Sequence, residues 1–156
     1  WLDMDQDELD AAYDQTAYAP MIEQHRARFA SMSAETRRQI GEPLRFAYGA
    51  SQPEIVAVYK AQQANAPMFV FIHGGAWLRG EAKNYAFPAE MFVKAGAHYI
   101  ALDFVAIGAN GDLTVMADQV RRAVAWVYKN AEKFGGDSVA ETRRNVLSYL
   151  EHLAIR

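Results

Sequence analysis

The stretch APMFVFIHGGAWLRG, residues 66–80, constrains the fold of this chain more than any other segment. Met68 to Ile72 is an apolar run without a charge, and it stops at the paired glycines Gly74 and Gly75. A short continuous apolar run ended by glycines predicts a buried central strand that runs into a tight turn. Two glycines let the backbone take positive φ and leave N–H groups uncrowded by side chains. Such N–H groups can be aimed at an anion, which is the physical requirement of an oxyanion hole. A bare glycine pair can equally serve only to turn the chain, so the flanking elements decide its meaning.

At 156 residues the chain suits one domain, and 51% hydrophobic with 22% charged residues is a globular composition. A net charge of -3 supplies no electrostatic reason to expect nucleic acid or an anionic membrane as partner. The chain has no cysteine, which excludes disulfides, thiolate zinc sites and cysteine nucleophiles while leaving the redox compartment open. No apolar run approaches transmembrane length, and the acidic start Trp1-Leu2-Asp3-Met4-Asp5 is unlike a signal peptide. The expectation is a cytoplasmic protein.

Residues 3–15 read as a solvated helical lead-in, followed by a helix over Met21 to Phe29 and a short second one around Ser33 to Arg38. Gly41 and Pro43 close this region. Leu44 to Gly49 alternates apolar and polar residues, and Ile55 to Tyr59 is rich in β-formers. Together they predict an antiparallel hairpin at the edge of a sheet centred on 68–72. Tyr85 to Ala95 has helical apolar spacing at Phe87, Met91, Phe92 and Ala95, with Gly96 as its stop. His98 to Leu102 predicts another buried strand, ending at Asp103. Asp112 or Thr114 caps a helix from Leu113 to about Phe134, whose apolar stripe is Val115, Met116, Val120, Ala123, Val124, Val127 and Tyr128. Residues 138–156 predict an amphipathic helix. The alternation of strand and helix after the third strand predicts a three-layer α/β fold with a mainly parallel sheet. The chain divides into a helical lead-in (1–43), a core (44–137) and the C-terminal helix (138–156).

These residues carry a resemblance. Phe71-Ile72-His73-Gly74-Gly75-Ala76-Trp77, Lys83-Asn84-Tyr85, Leu102-Asp103-Phe104, the segment Asp118 to Val127, and Phe134-Gly135-Gly136-Asp137 together resemble the α/β-hydrolase superfamily. The branch is that of HGG-bearing esterases, lipases and arylformamidases, and the likeness runs from about Tyr13 to Asp137. It implies hydrolysis of a carboxylic ester or an aryl amide through an acyl-serine intermediate, with no metal or organic cofactor. By this resemblance the N–H groups of Gly75 and Ala76 are the oxyanion donors and Gly74 permits the turn. His73 braces the turn by hydrogen bonding, and Asp103 takes part in the same loop's hydrogen bonds. Trp77 is either a wall of the acyl pocket or core, and Tyr85 and Tyr18 are candidates for lining a substrate entrance.

The resemblance also implies a nucleophile in G-x-S-x-G after the next strand, with a histidine base and an acid. Neither the motif nor that strand occurs here. None of Ser31, Ser33, Ser51, Ser138 and Ser148 lies in G-x-S-x-G. Ser148 precedes His152 by one helical turn with Glu151 adjacent, but a helix surface supplies neither strain nor an oxyanion donor. The chain thus reads as the N-terminal half of a hydrolase, without catalytic nucleophile, acid or base. It can be a fragment, one piece of a split enzyme, or a non-catalytic interaction module. Truncation of such a sheet would leave the apolar edge Met68–Ile72 uncovered, which predicts self-association or a partner chain.

Overall fold

A computed structural model of the protein describes residues 2–75, 78–107 and 112–137. The amphipathic helix expected over 138–156, with Ser148, Glu151 and His152, lies outside the described residues.

The acidic lead-in becomes α1, Gln6–Tyr13, because Asp5 and Glu8 cap it reciprocally. The Asp5 carboxylate accepts the Glu8 N–H at 2.9 Å, and the Glu8 carboxylate accepts the Asp5 N–H at 3.0 Å. After the short α2, Gln15–Tyr18, one helix runs over α3, Ile22–Ile40, where two were expected. No glycine or proline interrupts this span, so nothing breaks the ladder. Ser33, read as a helix start, is instead fully buried in mid-helix, where its hydroxyl accepts the Phe87 N–H at 3.1 Å. Gly41, at φ +91°, ends the helix, and its N–H donates to the Arg37 carbonyl.

Four strands follow: β1 (Leu44–Ala47), β2 (Ile55–Tyr59), β3 (Met68–Ile72) and β4 (His98–Leu102). They form one sheet in the order β1-β2-β4-β3. The expected hairpin of β1 and β2 is present, with Phe46 opposite Val56. The centre of the sheet differs from expectation. β4 lies inside, antiparallel to β2 and parallel to β3, while β3 has β4 as its one strand neighbour among the described residues. Burial follows position: every residue of β4 is buried, whereas Phe69 of β3 is 40% exposed. Of the three described pairings only β3–β4 is parallel.

Side chains of this sheet alternate faces, and each face carries its own core. Val56, Val58, Ile100 and Leu102 pack against Ala123, Val124 and Val127 of α5, Leu113–Lys129, and against Phe134 beyond it. Tyr59, Tyr99 and Ala101 pack on the opposite face against Ala82, Ala86 and Ala89. Helices therefore cover both faces, and the architecture is three-layer α/β.

Asp112 caps α5 by accepting the Val115 N–H. The expected stripe narrows at its ends, since Val115 and Tyr128 are exposed. The helix expected from Tyr85 is a 3₁₀ turn, Ala82–Tyr85, and then α4, Ala89–Lys94. Pro88 lacks an N–H and starts a new helix rather than continuing an old one. Met91, expected on the apolar face, is 65% exposed. Among the described residues no helix is long and apolar enough to cross a membrane.

Candidate active site

The site grows from the parallel strand pair. Ile72 and Leu102 are register partners at the C-terminal ends of β3 and β4, so His73 and Asp103 leave the sheet side by side. The crevice beyond the carboxyl ends of parallel strands is where open α/β sheets place ligands.

His73 is buried at 6% exposure between two parallel rings, with Phe104 at 4.4 Å and Tyr85 at 5.6 Å between centroids. Its Nδ1 lies 3.0 Å from the Gly74 carbonyl, and its Nε2 lies 3.9 Å from Asp103 Oδ1 without a hydrogen bond. The Gly74 carbonyl also accepts from the Tyr85 hydroxyl at 3.5 Å. Tyr85 is in turn held from below, because the Tyr99 hydroxyl donates to its carbonyl at 2.7 Å. Burial pushes the pKa of that Tyr99 hydroxyl well up, so it stays protonated and keeps donating. Asp103 Oδ1 accepts the Ala82 N–H at 2.6 Å, and the Asp103 carbonyl accepts from the Tyr48 hydroxyl at 2.7 Å. Asp103 thus anchors the segment that returns from the glycine turn.

That turn is closed at Gly75, whose carbonyl accepts the N–H groups of both Leu78 and Arg79 at 3.2 Å. Gly75 sits at φ +150°, and a Cβ there would lie 1.7 Å from the Arg79 carbonyl oxygen. Only glycine fits. Gly74, expected to be the residue permitting the turn, has no atom within 4 Å of where its Cβ would be. Gly80 was not singled out by the sequence, yet it carries a second constraint. At φ +129°, its Cβ would fall 2.3 Å from His73 Nδ1. The signal was present as a third glycine closing the stretch that starts at Ala66.

A groove of about 380 Å³ opens at this turn, lined by Arg26, Phe29, Gly75, Arg79, Gly80, Glu81, Asn84 and Tyr85. The structure therefore brings His73, Gly74, Gly75, Tyr85 and Asp103 together. Tyr18 is 75% exposed and is not among the groove's lining residues, and Ala76 and Trp77 lie outside the described residues. Sequence reasoning missed Arg26 and Phe29 because α3 reaches the groove only through tertiary packing, and it gave Arg79 and Asn84 no site role although both lie in stretches it had quoted. Chemically, the site offers a rigid glycine turn beside an aromatic wall and two guanidinium groups. Among the described residues no cluster of His, Asp and Glu suits a metal ion.

The sequence model of the BD-FAE family matches residues 56–140, more than half of the chain. The kynurenine formamidase of Danio rerio is 28% identical over 144 residues, covering 87% of this chain and 49% of that one. The chain thus spans about half the length of this curated relative. A shorter match, 50% identical over 64 residues, is to the chorismate synthase of Streptomyces coelicolor, covering 40% of this chain and 15% of that enzyme. Among solved structures, a protein of Silicibacter sp. TM1040 described as a thioesterase superposes with a TM-score of 0.70 at 21% identity, over 79% of this chain and 47% of the other. An esterase of Thermogutta terrifontis superposes with a TM-score of 0.58 at 20% identity, over 64% and 38% of the two chains.

Proposed function

Given that the chain belongs to the BD-FAE family, with an α/β-hydrolase fold, we propose that it is the oxyanion-loop half of a hydrolase acting on carboxylic esters or aryl amides of the formamide type. The observation that carries this reading is the closed turn at Gly75, set at the end of β3 and braced by His73. The formamidase relative supports the amide side of the reading, and the esterase neighbour supports the fold in which it would occur. The match to chorismate synthase spans too little of that enzyme to bring over an activity.

In this reading a serine hydroxyl attacks the scissile carbonyl, its proton passing to a histidine base. The C=O electron pair moves onto oxygen, and the N–H groups of Gly75 and Ala76 hold the resulting oxyanion. The leaving alcohol or amine takes the proton, and water then releases the acid from the acyl-serine. Removing one such donor costs on the order of 3–4 kcal/mol of barrier. The serine elbow would have to come from outside these 156 residues, since no G-x-S-x-G is present. This chain alone is accordingly expected to be inactive, and no metal or organic cofactor is required by the proposed steps. A cytoplasmic location is part of the reading and rests on composition alone.

Hydrolysis of p-nitrophenyl acetate tests it, measured on the chain alone, on Ser148→Ala, and after adding a fragment that bears the serine elbow. Turnover only in the last case supports the reading. Turnover by the chain alone that vanishes in Ser148→Ala overturns the claim that no nucleophile is present. Absence of turnover in all three favours the second reading, a non-catalytic interaction module, to which the edge of β3, unpaired among the described residues, lends itself.

A further inference from the structure

His73 braces the glycine turn, and its own ring is braced by the segment that leaves β4. Phe104 lies flat against it, with centroids 4.4 Å and planes 10° apart. Phe104 follows β4 by two residues and belongs to no helix or strand. A ring on irregular backbone keeps its place only where that backbone is tied down. Here both peptide groups flanking Phe104 are tied by side chains from other elements. Before it, the Asp103 carbonyl accepts from the Tyr48 hydroxyl at 2.7 Å; after it, the Val105 N–H donates to Gln119 Oε1 at 2.7 Å.

Gln119 is a buried amide, 5% exposed, on a face of α5 otherwise lined by Met116, Val120, Ala123 and Val124. An apolar residue would pack there without the cost of burying an amide, so the amide points to what it holds. A second layer locks Tyr48 and Gln119 together. Glu54, 4% exposed, accepts the Ser51 N–H at 2.7 Å and pairs through its other oxygen with Arg122. Arg122 stands 6.0 Å over the Tyr48 ring, and Gln119 Nε2 donates to the Ser51 hydroxyl at 3.4 Å. Gly49 leaves room for the carboxylate, since a Cβ there would lie 2.2 Å from Glu54 Oε1. Burial, reinforced by the Glu54 charge, pushes the pKa of the Tyr48 hydroxyl well up, so it stays a donor.

We propose that Tyr48 and Gln119 are positioning residues for the glycine turn: they clamp Phe104 against the His73 ring, and His73 in turn fixes the Gly74 carbonyl and the approach of Gly80. Tyr48 follows β1 and Gln119 lies on α5, so the clamp carries the hairpin turn and the helix face to a loop neither element touches directly. A site of this kind works only when the layer behind it holds its groups to within a fraction of an ångström. The inference rests on the hydrolase reading only for the use of the turn as an oxyanion loop.

NMR of the 156-residue protein tests the clamp without any turnover. The readouts are the His73 ring protons, which feel the ring current of Phe104, and the amide resonances of Gly75 and Gly80. Tyr48→Phe and Gln119→Met each move these signals, while the Ala89 methyl, in the core on the opposite face, keeps its resonance. Gln119→Met also speeds exchange of the Val105 amide roughly three- to tenfold, the change expected for one lost hydrogen bond. Gln119→Glu retains an oxygen for the Val105 N–H and restores the native His73 and glycine signals, a rescue that a purely structural role would not give. Tyr48→Phe keeps the buried ring and decides the matter if Gln119→Met does not fold. Unmoved His73 and glycine signals in Tyr48→Phe, changes that reach Ala89 equally, or a Gln119→Glu response as large as that of Gln119→Met overturn the clamp and leave the hydrolase reading standing. Signals that respond as expected, in a protein that gains no esterase activity with the serine elbow, support the clamp and count against the hydrolase reading alone.

Discussion

A methyl group added at Gly74 meets nothing within 4 Å, whereas at Gly75 it meets the Arg79 carbonyl oxygen at 1.7 Å. The obstacle is backbone, which cannot step aside as the end of a flexible side chain can. Gly75→Ala is therefore expected to open the turn and cost on the order of 1–3 kcal/mol for the strained backbone alone. Gly74→Ala is expected to leave the melting temperature within the range of an ordinary surface change. Thermal unfolding of the two variants side by side checks this, and equal losses would show that the turn does not depend on Gly75. The HGG stretch was legible as a glycine turn because both glycines follow an apolar strand. Which glycine carries the positive φ was not legible, because that depends on where residue 79 returns. Gly80 shows the same limit, since its constraint is the Nδ1 and Cε1 atoms of His73 together with the Gly74 carbonyl, which sequence spacing does not reveal.

His98 binds three elements together at the start of β4. Fully buried, its Nδ1 accepts the Ala61 N–H at 2.9 Å just after β2, and its Nε2 side faces the Gly135 carbonyl without a hydrogen bond of good geometry. Burial lowers the pKa of this imidazole below the ordinary 6.5, the Gly135 carbonyl opposing and Lys60 reinforcing the shift. The unfolded chain thus takes up a proton near pH 6.5 that the folded protein still refuses. Stability contributed by neutral His98 is complete above about 6.5 and falls as pH drops below it, by at most about 1.4 kcal/mol per pH unit for one proton. Urea unfolding at pH 7.5 and 5.5 is expected to show this loss in the native sequence and a smaller one in His98→Gln, which keeps an acceptor for Ala61 but does not titrate. Equal losses would remove His98 from the account. The strands and α5 were readable at this scale, because periods of two and of 3.6 residues survive in Ile55–Tyr59 and Leu113–Lys129. The exchange of β3 and β4 between edge and centre was not readable. MFVFI and HYIAL are both short apolar runs, and only pairing tells which is enclosed.

Among the described residues both faces of the sheet are covered, but the outer strands β1 and β3 each have a strand partner on one side only. β1 ends one side with only four residues, of which Leu44 is 46% exposed. On the other side β3 is longer and more apolar, and the described chain touches its free edge only at its start, where Gly136 forms a parallel bridge with Ala66. The Asp137 N–H donates to the Ala66 carbonyl, so the segment after α5 arrives beside β3. From Met68 to Ile72 no described residue extends that pairing, and Phe69 stays 40% exposed beside Phe92. An unpaired apolar strand edge is a template for another strand, and this one carries none of the lysines or prolines that blunt such edges. The expected outcome is association of two chains through Met68–Ile72, with dimers dominating sedimentation velocity at concentrations of tens of micromolar, on the order of weak protein contacts. Val70→Lys places a charge on that strand and is expected to return the sedimentation coefficient to that of a monomer with its helical circular dichroism retained. A native protein that sediments as a monodisperse monomer across this range would instead mean that the edge is covered from within the chain.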